Sequence, residues 1–305
     1  MNTIAQARPL PTTIGDYLLQ LRQALAGADP AMIQDALYDA EDYLRSELAE
    51  QKGKSEAEVI AGVASSYGAP EEVAEIYRET EVTVARALRP PVPPKRGSWI
   101  GTFFGVAADP RTYGALFYML LSLLTGVFYF TWVVTGASLS VGMLILIIGV
   151  PLLVLFFGSV RVLSLVEGRV VETLLGVRMP RRPQHPGLQG GWLQRIGAMF
   201  TDARTWSTML YFLLMLPLGI LYFTVFCTLL SLSLGLAASP IAVLFDNVAV
   251  LTWDGVDITS AWLTLPLCVV GVLLLFVTLH LARAFGTLHG MFAKQLLVKG
   301  GEAAA

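Results

Sequence analysis

The sequence has little charge for its length. Asp, Glu, Lys and Arg make up 14% of the 305 residues, against about 25% in a typical soluble domain. The formal net charge is only −2, so the chain lacks the basic surface that nucleic-acid backbones attract, and we expect no direct nucleic-acid binding. Hydrophobic residues make up 55% and the mean hydropathy is +0.63. A uniformly soluble protein is therefore excluded as well.

Cysteine and the known catalytic motifs are also scarce. The two cysteines, Cys227 and Cys268, both lie inside apolar runs, which excludes a disulfide scaffold and disfavours a zinc site. The sequence has no Gly-rich phosphate loop, no His-Glu-x-x-His, no Gly-x-Ser-x-Gly and no Cys-x-x-Cys. We therefore expect no enzyme activity, no metal and no cofactor.

Long charge-free runs indicate membrane-spanning helices. Thr112–Val160 has 49 residues and no Asp, Glu, Lys or Arg, whereas about 20 apolar residues suffice for one crossing. Small and polar residues at 135–138 favour a turn there, and so two helices within this run. With the apolar runs downstream, the pattern predicts four spans, at about 115–134, 140–163, 208–235 and 262–284.

Basic residues predict the orientation of the spans. Six arginines lie between the second and third spans, and lysines or arginines also lie before the first span and after the fourth. The two loops on the other side of the membrane contain no lysine or arginine. This asymmetry predicts a multi-pass protein of the cytoplasmic (inner) membrane with both termini in the cytoplasm. No predicted span has a carboxylate near its middle, which argues against an ion- or proton-coupled transporter.

The membrane region repeats itself at an offset of 93 residues. Thirteen of the 35 positions from Gly97 to Thr131 are identical to their counterparts at 190–224. Repeat one (97–176) and repeat two (190–297) each predict an amphipathic helix in the membrane interface followed by a transmembrane hairpin, and the two hairpins run in parallel. The fold class is therefore all-α, with a small helical domain ahead of a four-helix membrane domain.

Several repeat-equivalent residues have predicted structural roles. Tryptophan suits the water boundary, aspartate caps a helix N-terminus, and arginine reaches lipid headgroups. These caps and anchors are Trp99, Asp109 and Arg111 in repeat one, and Trp192, Asp202 and Arg204 in repeat two. Gly126 and Gly219, also equivalent, suit close helix packing or dimerisation.

The segment 237–260, predicted to lie outside the membrane, is long, apolar and acidic. Residues 248–255 suggest a small strand–turn element. The segment is either a ligand or envelope-stress site or a lid that caps the hairpins, and the sequence favours neither. The candidate sensing residues are Phe245, Asp246, Trp253, Asp254 and Asp257.

Residues 1–89 predict a cytoplasmic helical domain, which we call the head, and residues 90–96 a Pro-rich linker. Helices are expected at about 13–26, 30–51, 55–67 and 70–88, the first and third with capping-box signals at their starts. Acidic side chains line the second helix and form either a solvated face or a docking face. These are Asp35, Asp39, Glu41, Asp42, Glu47 and Glu50.

Three stretches of the head resemble the HAAS domain, the helix-turn-helix-associated α-helical signalling domain. They are Tyr17-Leu-x-x-Leu-Arg-x-x-Leu25, Ser55-Glu-x-Glu-Val-Ile60 and Tyr67-Gly-Ala-Pro-Glu-Glu-Val-Ala74. Domains of that family accompany PadR-type transcriptional regulators. The resemblance therefore implies a cytoplasmic regulator as partner, bound through residues 13–88.

Residues 97–297 resemble the bacterial "Putative sensor" membrane domain, through Arg204-Thr-Trp206, Leu210–Leu214 and Leu216-Pro-Leu-Gly219. The two resemblances together imply a membrane sensor that contacts lipids and passes a signal to its partner. The alternative is a small transport or membrane-remodelling component that acts as a homodimer.

Overall fold

The computed structural model describes residues 11–87, 98–146, 149–182, 197, 200–241, 252–253, 256–257 and 261–298. Within these residues the regular structure is helical apart from one small β-hairpin. The chain divides into two compact units. The first comprises Met1–Val92 with Pro180–Arg195, and the second comprises Pro93–Met179 with Ile196–Ala305.

The head forms four helices between residues 11 and 87, and they agree with the predicted ones to within three residues at each end. They are α1 (Ile14–Ala24), α2 (Pro30–Glu50), α3 (Glu56–Ala64) and α4 (Pro70–Ala87). Thr13 caps α1, and Ser55 forms a complete capping box with Glu58 at the start of α3. The Ser55 backbone N–H and hydroxyl both donate to the Glu58 carboxylate and hold its pKa below the usual value.

The motif Gly68-Ala-Pro-Glu-Glu closes the turn between α3 and α4 against α1. Gly68 adopts φ +111°, a left-handed conformation that favours glycine. The hydroxyl of Tyr17, which is fully buried, donates to the Gly68 carbonyl at 2.8 Å. The Glu72 carboxylate accepts from the Ala69 N–H at 3.0 Å. Burial raises the pKa of Tyr17, so its hydroxyl keeps the proton that it donates.

The described residues of the second unit form four helices that are long and apolar enough to cross a membrane. A short helix α5 (Trp99–Gly105) and a 3-10 turn (Val106–Ala108) precede them. The long helices are α6 (Pro110–Gly142), α7 (Gly149–Leu175), α8 (Ala203–Ala237) and α9 (Ala261–Leu297). The protein is therefore a multi-pass membrane protein.

The predicted turn at 135–138 is wrong, because α6 continues through these residues to Gly142. A 3-10 turn (Met143–Leu146) then leads towards α7. Gly136 packs against α7 so closely that a Cβ there would lie 2.4 Å from the ring of Phe156. In lipid a helix keeps its backbone hydrogen bonds, and small residues serve helix contact rather than chain reversal.

The helices α7 and α9 also extend further than predicted, to Leu175 and Leu297 instead of about 163 and 284. The prediction ended both spans near an arginine, Arg161 and Arg283. Each of these arginines is paired with an aspartate of the other repeat, and both helices continue past them. This extension brings Glu167 and His289 into the helices.

The helices α6 and α8 cross at Gly126 and Gly219. A Cβ on Gly126 would lie 2.4 Å from the carbonyl oxygen of Met215, and one on Gly219 would lie 2.3 Å from that of Ser122. Ser122 and Met215 are themselves equivalent at the 93-residue offset, so the contact is reciprocal. The structure thus uses the two glycines for packing within one chain, at an approximate twofold axis between the repeats.

The segment after α8 includes a small antiparallel hairpin. Thr252–Trp253 (β1) pairs with Val256–Asp257 (β2), with Thr252 opposite Asp257 and Trp253 opposite Val256. Of the candidate sensing residues, Trp253 and Asp257 lie in these strands. Phe245, Asp246 and Asp254 lie outside the described residues.

Candidate functional site: a buried polar cluster between the repeats

A carboxylate lies buried among the membrane helices. Glu167 of α7 has no solvent-exposed surface. Its Oε1 accepts hydrogen bonds from the hydroxyls of Tyr118 at 2.6 Å and Tyr211 at 2.9 Å, and its Oε2 accepts from the hydroxyl of Tyr129 at 3.0 Å. Because a buried polar group without partners is costly, three donors explain how the carboxylate is tolerated.

His289 of α9 lies on the other side of the same hydroxyls. Its Nε2 is 2.8 Å from the Tyr118 oxygen and 3.0 Å from the Tyr211 oxygen. Since both tyrosine protons are directed to Glu167, His289 must be the donor, and its proton is assigned to Nε2. Its Nδ1 then accepts from the hydroxyl of Tyr222, at 3.4 Å. We call these six residues the polar cluster.

Each repeat contributes three residues to the polar cluster, and the two sets differ at one position. Its tyrosines match at the 93-residue offset, and the hairpin ends match at 122 residues, as Arg161 and Gly168 match Arg283 and Gly290. The equivalent pairs are Tyr118 with Tyr211, Tyr129 with Tyr222, and Glu167 with His289. An acid and a base therefore occupy equivalent positions and share two hydroxyls, in an arrangement that can pass a proton between the repeats.

Two ion pairs between the repeats flank the cluster. Arg161 contacts Asp202 at 2.9 Å, and Arg283 contacts Asp109 at 3.3 Å. Both aspartates are also helix N-caps, since each accepts a hydrogen bond from the backbone N–H two residues on, at Arg204 and Arg111. Each cap thus fixes the start of one hairpin and an arginine of the other.

The remaining predicted anchors are exposed or half-buried, or lie outside the described residues. Trp99 is 82% exposed in α5, Arg111 is exposed and Arg204 is half-buried. Trp192 lies outside the described residues. The helix α5 packs on α9, where the Phe103 carbonyl lies 3.0 Å from Nε2 of His280 and the two rings stack.

The head has a polar site of its own, on the acidic face of α2. The Asp35 carboxylate accepts from the backbone N–H groups of Arg181 and Arg182, at 2.7 and 2.8 Å. The Arg182 guanidinium pairs with Asp39 at 3.0 Å and lies over the Tyr38 ring. The segment Pro180–Arg182 belongs to the same compact unit as the head, so part of the acidic face is occupied by the chain itself.

The sequence interpretation missed the polar cluster, although a signal was present. All four tyrosines stand among the thirteen repeat identities, and a tyrosine that recurs inside apolar helices needs a partner for its hydroxyl. Glu167 lies four residues beyond the predicted end of the second span, and His289 lies five residues beyond the predicted end of the fourth.

A comparison with protein families identifies the membrane unit. The model of the family described as "Putative sensor" matches residues 118–297. The chain belongs to this family. All six residues of the polar cluster lie within the matched range of the Sensor domain, and the head lies outside it. No curated protein and no solved structure gives a significant match to the chain.

Proposed function

We propose that this Sensor-family protein is a sensor of the bacterial cytoplasmic membrane that relays a membrane or envelope signal to a cytoplasmic partner through its head. Both termini lie in the cytoplasm in this proposal, as the distribution of basic residues favours. A signal that changes the packing of the two hairpins alters the polar cluster, which joins α6, α7, α8 and α9.

The observation that carries the proposal is the contact of the segment Pro180–Arg182 with the acidic face of α2. Only the four residues Gly176–Met179 separate this segment from the end of α7. The same helix, α7, carries Glu167 of the polar cluster. A displacement of α7 therefore acts on the chain that binds Asp35 and Asp39. Release of the segment would expose these carboxylates to a partner.

The proposed partner is a PadR-type transcriptional regulator. Its support is the resemblance of the head to the HAAS domain, which includes the Gly68–Glu72 corner. The acidic face of α2 complements a basic partner surface, which would compete with Arg181 and Arg182.

A co-purification from native membranes tests this proposal. The full chain is compared with a chain that lacks residues 1–91, and with two single variants of α2, Asp39→Ala and Asp42→Ala. Asp39 binds Arg182, whereas Asp42 is exposed on the same helix, so Asp42→Ala is the matched control. We expect a transcriptional regulator to co-purify with the full chain only when the head is present, and Asp39→Ala to change its yield more than Asp42→Ala.

Recovery of the same membrane proteins with and without the head, and of no regulator, would remove the docking role of the head. If a regulator co-purifies in the same yield with both α2 variants, the head still binds that partner, but through a face other than the acidic face of α2.

One observation favours a transport component as a second candidate. The sequence argument against it was that no predicted span has a carboxylate near its middle, whereas Glu167 is buried in α7 and shares tyrosine hydroxyls with His289. Ionisable residues inside a membrane bundle are typical of proton-coupled transport. A proton flux into proteoliposomes that is lost in Glu167→Gln would favour this candidate over the sensor.

A further inference from the structure

An apolar pocket of about 620 Å³ lies between α6 and α7. This volume falls within the range of about 300–1,000 Å³ that is usual for small-molecule sites. The walls come from the middle and the C-terminal part of α6 and from the N-terminal half of α7, within the charge-free run 112–160. The surrounding medium is therefore the acyl-chain region of a bilayer.

Most side chains that line the pocket are apolar, and a few carry hydroxyl groups. The apolar lining includes Leu124, Val127 and Phe128 from the middle of α6, and Leu152 and Leu155 from α7. Serine and threonine hydroxyls are added towards the end of α6. On α7, the Ser159 hydroxyl also lines the pocket and is already bonded, because it accepts from the Trp132 Nε1–H at 2.9 Å and donates to the Phe156 carbonyl.

Ser140 differs from the other lining hydroxyls. It is fully buried in the last turn of α6, and its oxygen has no hydrogen-bond partner among the described residues. Its repeat equivalent, Ser233 of α8, is equally buried but donates to the Leu230 carbonyl at 3.0 Å. A buried hydroxyl without a partner is costly, and within the described residues only the Ser140 member of this equivalent pair is left in that state.

The second repeat also replaces the residues that shape the pocket. Gly136 and Trp132 correspond to Leu229 and Val225 at the 93-residue offset. Gly136 lets the Phe156 ring of α7 pack directly against α6 in the pocket lining, since a Cβ there would lie 2.4 Å from that ring. The residues that line the pocket in repeat one therefore differ from those at the equivalent positions of repeat two.

We propose that this pocket binds one acyl chain of a membrane phospholipid, with an ester oxygen of that lipid as the partner of Ser140. The chain lies along the apolar walls towards mid-span. The ester group stays near the end of α6, where lipid ester groups meet the membrane boundary. This inference deepens the proposed sensor function by naming the ligand class, and it rests on that function only for the role of the lipid as a stimulus.

Photolabelling of the full chain tests the site. The purified protein, in detergent micelles that contain a few lipid molecules per chain, is exposed to a phosphatidylethanolamine with a diazirine in the middle of one acyl chain. Adducts are mapped by mass spectrometry. Thr135→Phe fills the pocket from an exposed lining position, and Thr228→Phe makes the same change at the exposed equivalent position of α8.

We expect adducts to concentrate on 124–140 and 152–159, to disappear in Thr135→Phe and to persist in Thr228→Phe. Ser140→Ala, which only removes a hydroxyl, should weaken labelling about fivefold, as expected for one lost hydrogen bond. Ser233→Ala is its control. Size-exclusion profiles establish whether each variant is folded. If Thr135→Phe does not fold, the comparison of Ser140→Ala with Ser233→Ala tests the site.

Labelling spread evenly over α6, α7, α8 and α9 in every variant would show general lipid contact and overturn the proposal. Equal labelling of Ser140→Ala and Ser233→Ala would overturn the role of Ser140. Neither result depends on a cytoplasmic partner, so failure of this site would leave the relay through the head standing.

Discussion

Glu167 and His289 occupy equivalent positions in the two repeats, yet one is an acid and the other a base. Two carboxylates at these positions would repel each other, and two histidines would leave the tyrosine protons without a carboxylate to accept them. One of each satisfies every donor and acceptor that the described geometry brings together. The one difference between the two halves of the polar cluster therefore has an electrostatic reason.

At this scale we expect Glu167→Ala to lower the stability of the protein by about 2 kcal/mol, because three buried hydroxyls lose their acceptor. For a membrane unit of this size, that corresponds to a fall of about 6 °C in Tm. Fluorescence-detected size exclusion after heating measures the change. Glu172→Ala is the control, since Glu172 contacts Arg169 on the same helix near the end of α7 and should change Tm little. Equal shifts for the two variants would contradict the role given to Glu167.

The assignment of the His289 proton gives a second prediction. Glutamine carries an amide N–H near the position of Nε2–H, so His289→Gln should keep the bond to the tyrosine oxygens and most of the stability. His289→Leu removes that donor and also the acceptor of Tyr222, and should cost about 2 kcal/mol. The same heating assay compares them. If both variants melt at one temperature, the hydrogen bonds of His289 contribute nothing measurable.

At the scale of elements, the crossing of α6 and α8 fixes the arrangement of the hairpins. Gly219→Ala should cost about 3 kcal/mol, because its Cβ would meet the backbone of α6 at Ser122, which cannot move aside like a side chain. Gly235→Ala, on the same helix, places its Cβ in open space and should leave Tm nearly unchanged. Heating curves of the two variants measure the difference. A change in oligomer size without loss of stability would instead favour dimerisation through Gly219.

The ends of the long helices follow a related principle. Asp109 and Asp202 cap α6 and α8, and each also pairs with an arginine from the other repeat. The caps therefore stabilise both the start of a helix and the contact between hairpins. A sequence pattern shows the first role, since it is local, but it cannot show the second.

At the scale of the whole molecule, the segment Pro180–Arg182 is expected to respond to changes on α2. Asp35→Ala removes the acceptor of the Arg181 and Arg182 N–H groups, and hydrogen exchange at these two amides should accelerate about tenfold. Mass-spectrometric exchange on the full chain measures it. Asp42→Ala, on the exposed side of the same helix, should leave the rate unchanged. No acceleration in Asp35→Ala would mean that other contacts hold the segment.

Much of the architecture is predictable from the sequence because its causes are local or periodic. Four apolar runs give four membrane helices, the capping signals at Thr13 and Ser55 give helix starts in the head, and repetition at 93 residues relates the hairpins. The turn at 135–138 was wrong because small residues have two uses, and only the neighbouring Phe156 decides between them.

The number of spans, the four helices of the head, and the place of Gly126, Gly219 and the four tyrosines in a repeat follow from the sequence. The hydroxyls of Tyr118 and Tyr211 that Glu167 and His289 share, and the bonds from Arg181 and Arg182 to Asp35, become visible only once the helices are packed. The two groups of features differ in the range of the interactions that cause them. Hydrophobicity and capping act within a few residues, whereas a buried polar group takes its partners from helices that are far apart in the chain.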